Sequence, residues 1–257
     1  MDTIAGELGT ALAEQHAELW GLVEGLEDGA WQLPSRCPGW TVADVVLHLA
    51  QTEEMALASF EDRLGDAAGA FVGDVDPDAA GTVDDMAAWA VARERGEPGP
   101  VVAARWRAAA DGVRSTFAAM GPSHRVTWVS GELSALSLAA TRLAETWIHT
   151  GDVAEALGVP QVPRDRLRHV ARLAWRTLPY AFGREGRELA GPVAFHLVGP
   201  SGDRWDFVSD AEPATVVTGD GTDLCLVAAR RITPAQAALQ ATGPDADAVL
   251  TLVRTYA

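Results

Sequence analysis

The sequence contains no lysine: all 20 of its basic residues are arginine, set against 36 Asp and Glu in 257 residues, for a formal net charge of −16. A chain this acidic has no broad basic face for neutralising phosphates, which excludes DNA or RNA as its main partner. The same deficit excludes docking to an anionic membrane surface. Cysteine is scarce as well. The two present, Cys37 and Cys225, cannot build a disulfide framework and fit a reducing compartment. No apolar run approaches the ~18 residues of a membrane span. The opening MDTIAGELGTALAEQHAELW carries acids early and lacks a basic stretch followed by an apolar one. A secretory signal is therefore not expected, and a cytoplasmic location is. What the chain does have is a hydrophobic content of 48%, enough core for one large domain or two small ones.

Residues 1–160 read as helical. Ile4, Leu8, Leu12, Leu19, Val23 and Leu26 recur at helical spacing. After the Gly- and Pro-punctuated LEDGAWQLPSRCPGW, Thr41 is placed as an N-cap, with Asp44 as its capping-box partner. Val42, Val45, Leu49 and Ala56 form the stripe of that helix, which fades near Leu64. Residues 65–81 read as a loop and 82–96 as a short helix. A long helix is expected from Pro100 to Met120, then a break at GPSHRVTW. Another runs from about Glu132 to Leu157, stopped by Gly158 and Pro160. Four long helices with modest connections predict a bundle. From 161 to 257 the texture changes to a small α+β domain. It has a helix over Asp165–Pro179, strands in GPVAFHLVG, DRWDFVS and PATVVTG arranged as a meander, and a helix opened by Asp220 or Thr222. AALQAT is a final strand, and a last helix starts near Pro244. The predicted fold class is thus α+β.

One constellation could carry metal chemistry. Glu145 and His149, in RLAETWIHTGD, sit four apart and share a helical face one turn apart. His48, in VVLHLA, lies about 60° off the edge of its helix's apolar stripe, aimed toward a neighbouring helix rather than at water. Two imidazoles and one carboxylate, with coordination positions left open, make a catalytic type of metal site. Zinc is the default, and nickel, iron or manganese suit the same donors. A plainer reading stands beside it. Glu145 and His149 share their face with Thr141, Arg142 and Asp152, opposite Leu136, Leu143, Trp147 and Leu157, and that periodicity by itself describes a solvated face.

Other features carry less. Asp74, Asp76, Asp78 and Asp85 superficially imitate a calcium loop, but Ala79 stands where the turn demands Gly and the twelfth position is Asp. They read as a solvated acidic loop. Cys37 reads as a structural thiol in a turn and Cys225 as core. Trp40 either lines a cavity or packs. His16, His124, His169 and His196 have no ligand-spaced partner and read as surface or satisfied histidines. No G-x-S-x-G elbow or Walker loop is present.

Two stretches resemble a known family. PSRCPGWTVADVVLHLA, residues 34–50, and LAETWIHTGDV, residues 143–153, are similar to the two signatures of the mycothiol-dependent maleylpyruvate isomerase family. That family belongs to the DinB-like metal-binding four-helix bundles. The resemblance implies that His48, Glu145 and His149 are the metal ligands and that their polar face looks inward. DLCLVAARR resembles the family's C-terminal domain, where an arginine contributes to activity; Arg230 is the first choice for that role and Arg231 the second. The chain looks closest to an actinobacterial subgroup of unassigned reaction.

Three functions follow as expectations. The first is an enzyme in which a metal lowers the pKa of mycothiol, and the thiolate adds to a small, carboxylate-bearing electrophile for isomerisation or S-transfer. The second is a thiol-independent metal hydrolase or secondary-metabolism enzyme. The third is a non-catalytic metal- or small-molecule-binding protein. The sequence does not set the oligomeric state.

Overall fold

The computed structural model of the protein describes residues 2–65, 82–129 and 131–255. The chain divides into two units, Met1–Gln161 and Val162–Ala257. The first contains α1 (Asp2–Val23), the single turn α2 (Asp28–Trp31), α3 (Val42–Phe60), α4 (Val83–Glu94), α5 (Gly99–Ala119), the strands β1 (Arg125–Trp128) and β2 (Gly131–Ser134), and α6 (Ala135–Ala156). The long helices α1, α5, α3 and α6 pack in a ring, each against the next, and α6 closes on α1.

Local chemistry sets these helices. Thr41 caps α3: its side chain accepts from the backbone N–H of Asp44, and the Asp44 carboxylate accepts from the N–H of Thr41. The apolar stripe that follows, Val42, Val45, Val46 and Leu49, is fully buried with Leu19 of α1 and Trp106 of α5. Each such aliphatic side chain contributes roughly 1.5–3 kcal/mol by leaving water. Gly99 opens α5 against Trp31, where a Cβ would fall 2.1 Å from the indole ring.

The break expected at GPSHRVTW is a hairpin. β1 and β2 pair antiparallel, Val126 opposite Leu133 and Thr127 opposite Glu132. The last long helix therefore starts at Ala135 rather than near Glu132, with Ser134 as its N-cap. Four-residue strands with one buried side chain, Val126, leave too short an alternation to be seen in sequence. The acidic positions Asp74, Asp76 and Asp78, and the expected loop beyond Gly65, lie outside the described residues. Asp85 is an α4 capping partner, its carboxylate accepting from the Thr82 hydroxyl at 2.7 Å.

The second unit holds α7 (Leu167–Arg176), α8 (Leu178–Arg184), β3 (Val193–Val198), β4 (Arg204–Phe207), β5 (Thr215–Asp220), α9 (Gly221–Ala228), β6 (Leu239–Thr242) and α10 (Ala246–Leu252). The helix expected over Asp165–Pro179 is two helices. The Thr177 hydroxyl turns back onto the Leu173 carbonyl, and Pro179, which has no N–H to give, sits in the first turn of α8. The sheet order is β4-β3-β5-β6, with β3 and β5 parallel, so the expected meander is corrected. After the β3–β4 hairpin the chain crosses to the far edge of β3, placing Val193 beside Thr215 and Phe195 beside Val217. Asp220 caps α9, accepting from the N–H groups of Thr222 and Asp223. Cys225 is buried on that helix, as expected of a core thiol. Among the described residues no helix is long and apolar enough to cross a membrane. The fold is α+β.

Candidate metal centre

His48 lies two turns into α3, so the Thr41 cap fixes its angular position. Glu145 and His149 project from α6 across the same seam. Nε2 of His48 lies 2.9 Å from Oε1 of Glu145, and Nε2 of His149 lies 3.4 Å from the same oxygen. The two imidazole rings stand 5.0 Å apart at 76°. One donor atom from each of the three residues falls within 4.8 Å of the others. Donors bound at ~2.0–2.2 Å around a tetrahedral ion are roughly 3.3 Å from one another, so the three fit a first-row divalent cation. His48 and His149 are 6% and 8% exposed. The face that periodicity alone describes as solvated therefore points inward.

The electrostatics belong to buried groups that lean on one another. Burial pushes the His48 pKa down, and its hydrogen bond with Glu145 only partly offsets this. Burial would raise Glu145, but the hydrogen bonds from His149 and His48 outweigh it and hold the carboxyl well below its usual range. Burial would lower His149, but Asp152, then Cys37 and Glu145, outweigh it and hold the imidazole well above its ordinary value. A proton on His149 thus occupies the place a cation would compete for.

Two further residues lie behind His149. Nδ1 of His149 is 2.9 Å from Oδ2 of Asp152, and the Cys37 thiol donates to that oxygen at 3.4 Å while standing 3.9 Å from Nδ1. Asp152 shares the Glu145 face three positions after His149, a spacing visible in sequence; its partner Cys37 is not locally marked. Cys37 also belongs to the turn between Pro34 and Thr41, in which Trp40 N–H donates to the Cys37 carbonyl at 3.0 Å. The Trp40 ring stands 5.1 Å from His48, on the site side of that turn.

The remaining histidines divide. Nδ1 of His196 lies 2.6 Å from an Asp206 carboxylate oxygen, and His124 is exposed. His16 departs from the expectation of a surface or satisfied residue. It is 1% exposed, neither ring nitrogen has a hydrogen-bond partner among the described residues, and Nε2 is 4.0 Å from Glu53. Arg230 and Arg231 belong to the unit Val162–Ala257. Arg230 follows α9 in a left-handed conformation (φ 59°), exposed, with Nη1 donating to the Thr251 carbonyl at 2.7 Å. Arg231 is half-buried and donates to the Ala229 carbonyl.

Comparison with known proteins bears on the family and the fold. Residues 12–154 match the family described as mycothiol maleylpyruvate isomerase N-terminal domain. Two uncharacterized proteins of Mycobacterium tuberculosis, MT0041 and Rv0036c, are each 34% identical over 247 residues, 96% of this chain and 93% of theirs. The crystal structure of the mycothiol-dependent maleylpyruvate isomerase is similar with a TM-score of 0.58 at 17% identity, covering 94% of this chain and 95% of that one. A histidine-to-alanine mutant of the same enzyme gives 0.59 at 16% identity with the same coverage. At that identity the likeness is one of fold.

Proposed function

The chain belongs to the mycothiol maleylpyruvate isomerase family, and on that footing we propose a metal-dependent enzyme that uses mycothiol for isomerisation or S-transfer on a small electrophile. One observation carries the reading: His48, Glu145 and His149, drawn from two helices, bring their donor atoms within 4.8 Å of one another in a buried setting. These three would hold the ion, with zinc as the first candidate, and a divalent cation there supplies the positive charge that favours a thiolate at neutral pH. Glu145 keeps its carboxyl ionised as a ligand must. Asp152 holds Nδ1 of His149 and so turns Nε2 toward Glu145. The Trp40 ring stands beside His48, tilted against it.

Bound mycothiol would supply a thiolate able to add reversibly to a conjugated carbon–carbon double bond, which would allow isomerisation when the thiol is released again and S-transfer when the protonated adduct is kept. Arg230, with Arg231 as second candidate, is assigned to the substrate's carboxylate, since a guanidinium grips that group in two-pronged fashion. The protein is proposed to act in the cytoplasm on small molecules.

Elemental analysis of freshly purified protein beside His48→Ala tests the site. Stoichiometric metal in the wild type and its loss in the variant are expected; full retention by the variant overturns the ligand assignment. Thiol-dependent isomerisation of maleylpyruvate, and thiol consumption with generic electrophiles, by the metal-loaded protein test the reaction. Turnover that persists without thiol moves the assignment to metal-dependent hydrolysis or rearrangement.

A further inference from the structure

We infer that the buried pair Glu53–Arg142 is a positioning device, setting the register of α3 against α6 so that His48 meets Glu145. The inference rests on the metal reading above. Nε of Arg142 donates to Oε1 of Glu53 at 3.2 Å, with the two residues 3% and 0% exposed. The pair joins the same two helices that carry the candidate ligands. His48 faces Glu145 and, five residues on in α3, Glu53 faces Arg142, three residues back in α6.

A direct connection runs between the two cross-links. Nη2 of Arg142 donates to the Thr52 hydroxyl at 2.9 Å, and that hydroxyl donates to the His48 carbonyl at 3.0 Å. Glu53 is further engaged by the Thr146 hydroxyl of α6 at 3.4 Å. Thr150, one turn on, receives Gln15 of α1 at 3.0 Å. The polar layer therefore ties the ligand-bearing helices together immediately beside the site.

The physics favours a role in alignment over one in stability. A buried ion pair adds little net stability, because desolvation offsets its attraction. Its leverage lies in the alternatives. Sliding α3 by one residue moves its side chains 1.5 Å along the axis and turns them about 100°. That leaves a guanidinium and a carboxylate buried and unpaired, which is strongly unfavourable. Apolar neighbours such as Val46 and Leu49 tolerate small shifts far better, so they cannot specify the alignment that converging metal donors require.

The test uses the full chain, zinc ions as probe and two readouts: zinc affinity by competition with a chromophoric chelator, and thermal unfolding of the metal-free protein. For the paired apolar replacement Glu53→Leu with Arg142→Leu, the metal-free midpoint should hold or rise while zinc affinity falls at least about ten-fold. Thr52→Val, at a partly exposed position, should lower zinc affinity several-fold with the midpoint unchanged. Arg142→Lys keeps the charge but loses the fork, and should weaken zinc binding even where the double variant does not fold. Zinc affinity within two-fold of wild type in Thr52→Val and Arg142→Lys, or in a folded double variant, overturns the inference. Failure of the wild type to bind zinc in a His48-dependent way overturns the metal reading first, and this inference with it.

Discussion

The imidazole of His149 is backed by the carboxylate of Asp152, 2.9 Å from Nδ1 and three residues further along the same helix. Such a carboxylate fixes which ring nitrogen faces the metal and raises its basicity. Replacing Asp152 should therefore weaken zinc binding by about 10- to 100-fold, asparagine at the mild end and alanine at the severe end. Chelator competition reads the loss directly. Unaltered affinity in Asp152→Ala would remove Asp152 from the site.

Cys37 touches the same carboxylate from the far side of His149. It stands on the Nδ1 side, whereas Glu145 lies on the Nε2 side. Cobalt-loaded protein should accordingly lack the thiolate-to-metal charge-transfer absorption that a cysteine ligand gives. Cys37→Ser should retain the wild-type spectrum. An intense charge-transfer band that vanishes in Cys37→Ser would make the thiol a ligand.

His16 predicts an acid-side loss of stability. Burial, followed by the charges of Arg114, Arg142 and Arg107, lowers its pKa from 6.5 to about 3. Below pH 6.5 the unfolded chain takes up a proton that the folded chain refuses. The contribution is thus complete above that pH and declines as pH falls toward 3, by up to about 1.4 kcal/mol per unit. Glu53, raised by burial, acts in the opposite sense over its own range. Urea midpoints of wild type and His16→Phe at pH 7, 6 and 5 separate the two. The variant should lose less stability on acidification, and parallel profiles would contradict the assignment.

Gly219 makes a local prediction for the second unit. It adopts φ 139°, and a Cβ there would fall 2.1 Å from the Ala238 carbonyl oxygen. Both the backbone conformation and the contact oppose a side chain, so Gly219→Ala should destabilise by about 2 kcal/mol or more. Thr41→Ala should cost about 1 kcal/mol through the lost α3 cap. Thermal unfolding measures each, and a neutral Gly219→Ala would refute the close approach.

Much of the architecture was legible because its causes are local. The Thr41–Asp44 capping box, the stripe through Val45 and Leu49, and the Asp220 cap depend on neighbours three or four positions away. The hairpin at Arg125–Ser134 was not legible, since four-residue strands are too short to show a period. Nor was the parallel pairing of β3 with β5, because strand neighbours are chosen by crossovers rather than by strand composition.

The candidate site divides the same way. Sequence by itself determined that Glu145 and His149 share a face, because one helical turn separates them, and its resemblance to family signatures named His48 as their partner. Periodicity left that face solvated and the resemblance implied that it looks inward; the tertiary structure shows it buried. It brought His48 to within 2.9 Å of Glu145 across 97 residues of chain, backed His149 with Asp152 and Cys37, and enclosed His16 and Glu53. The reason is physical. Periodicity records which side chains point the same way, whereas the packing of α3 on α6 decides what they point at.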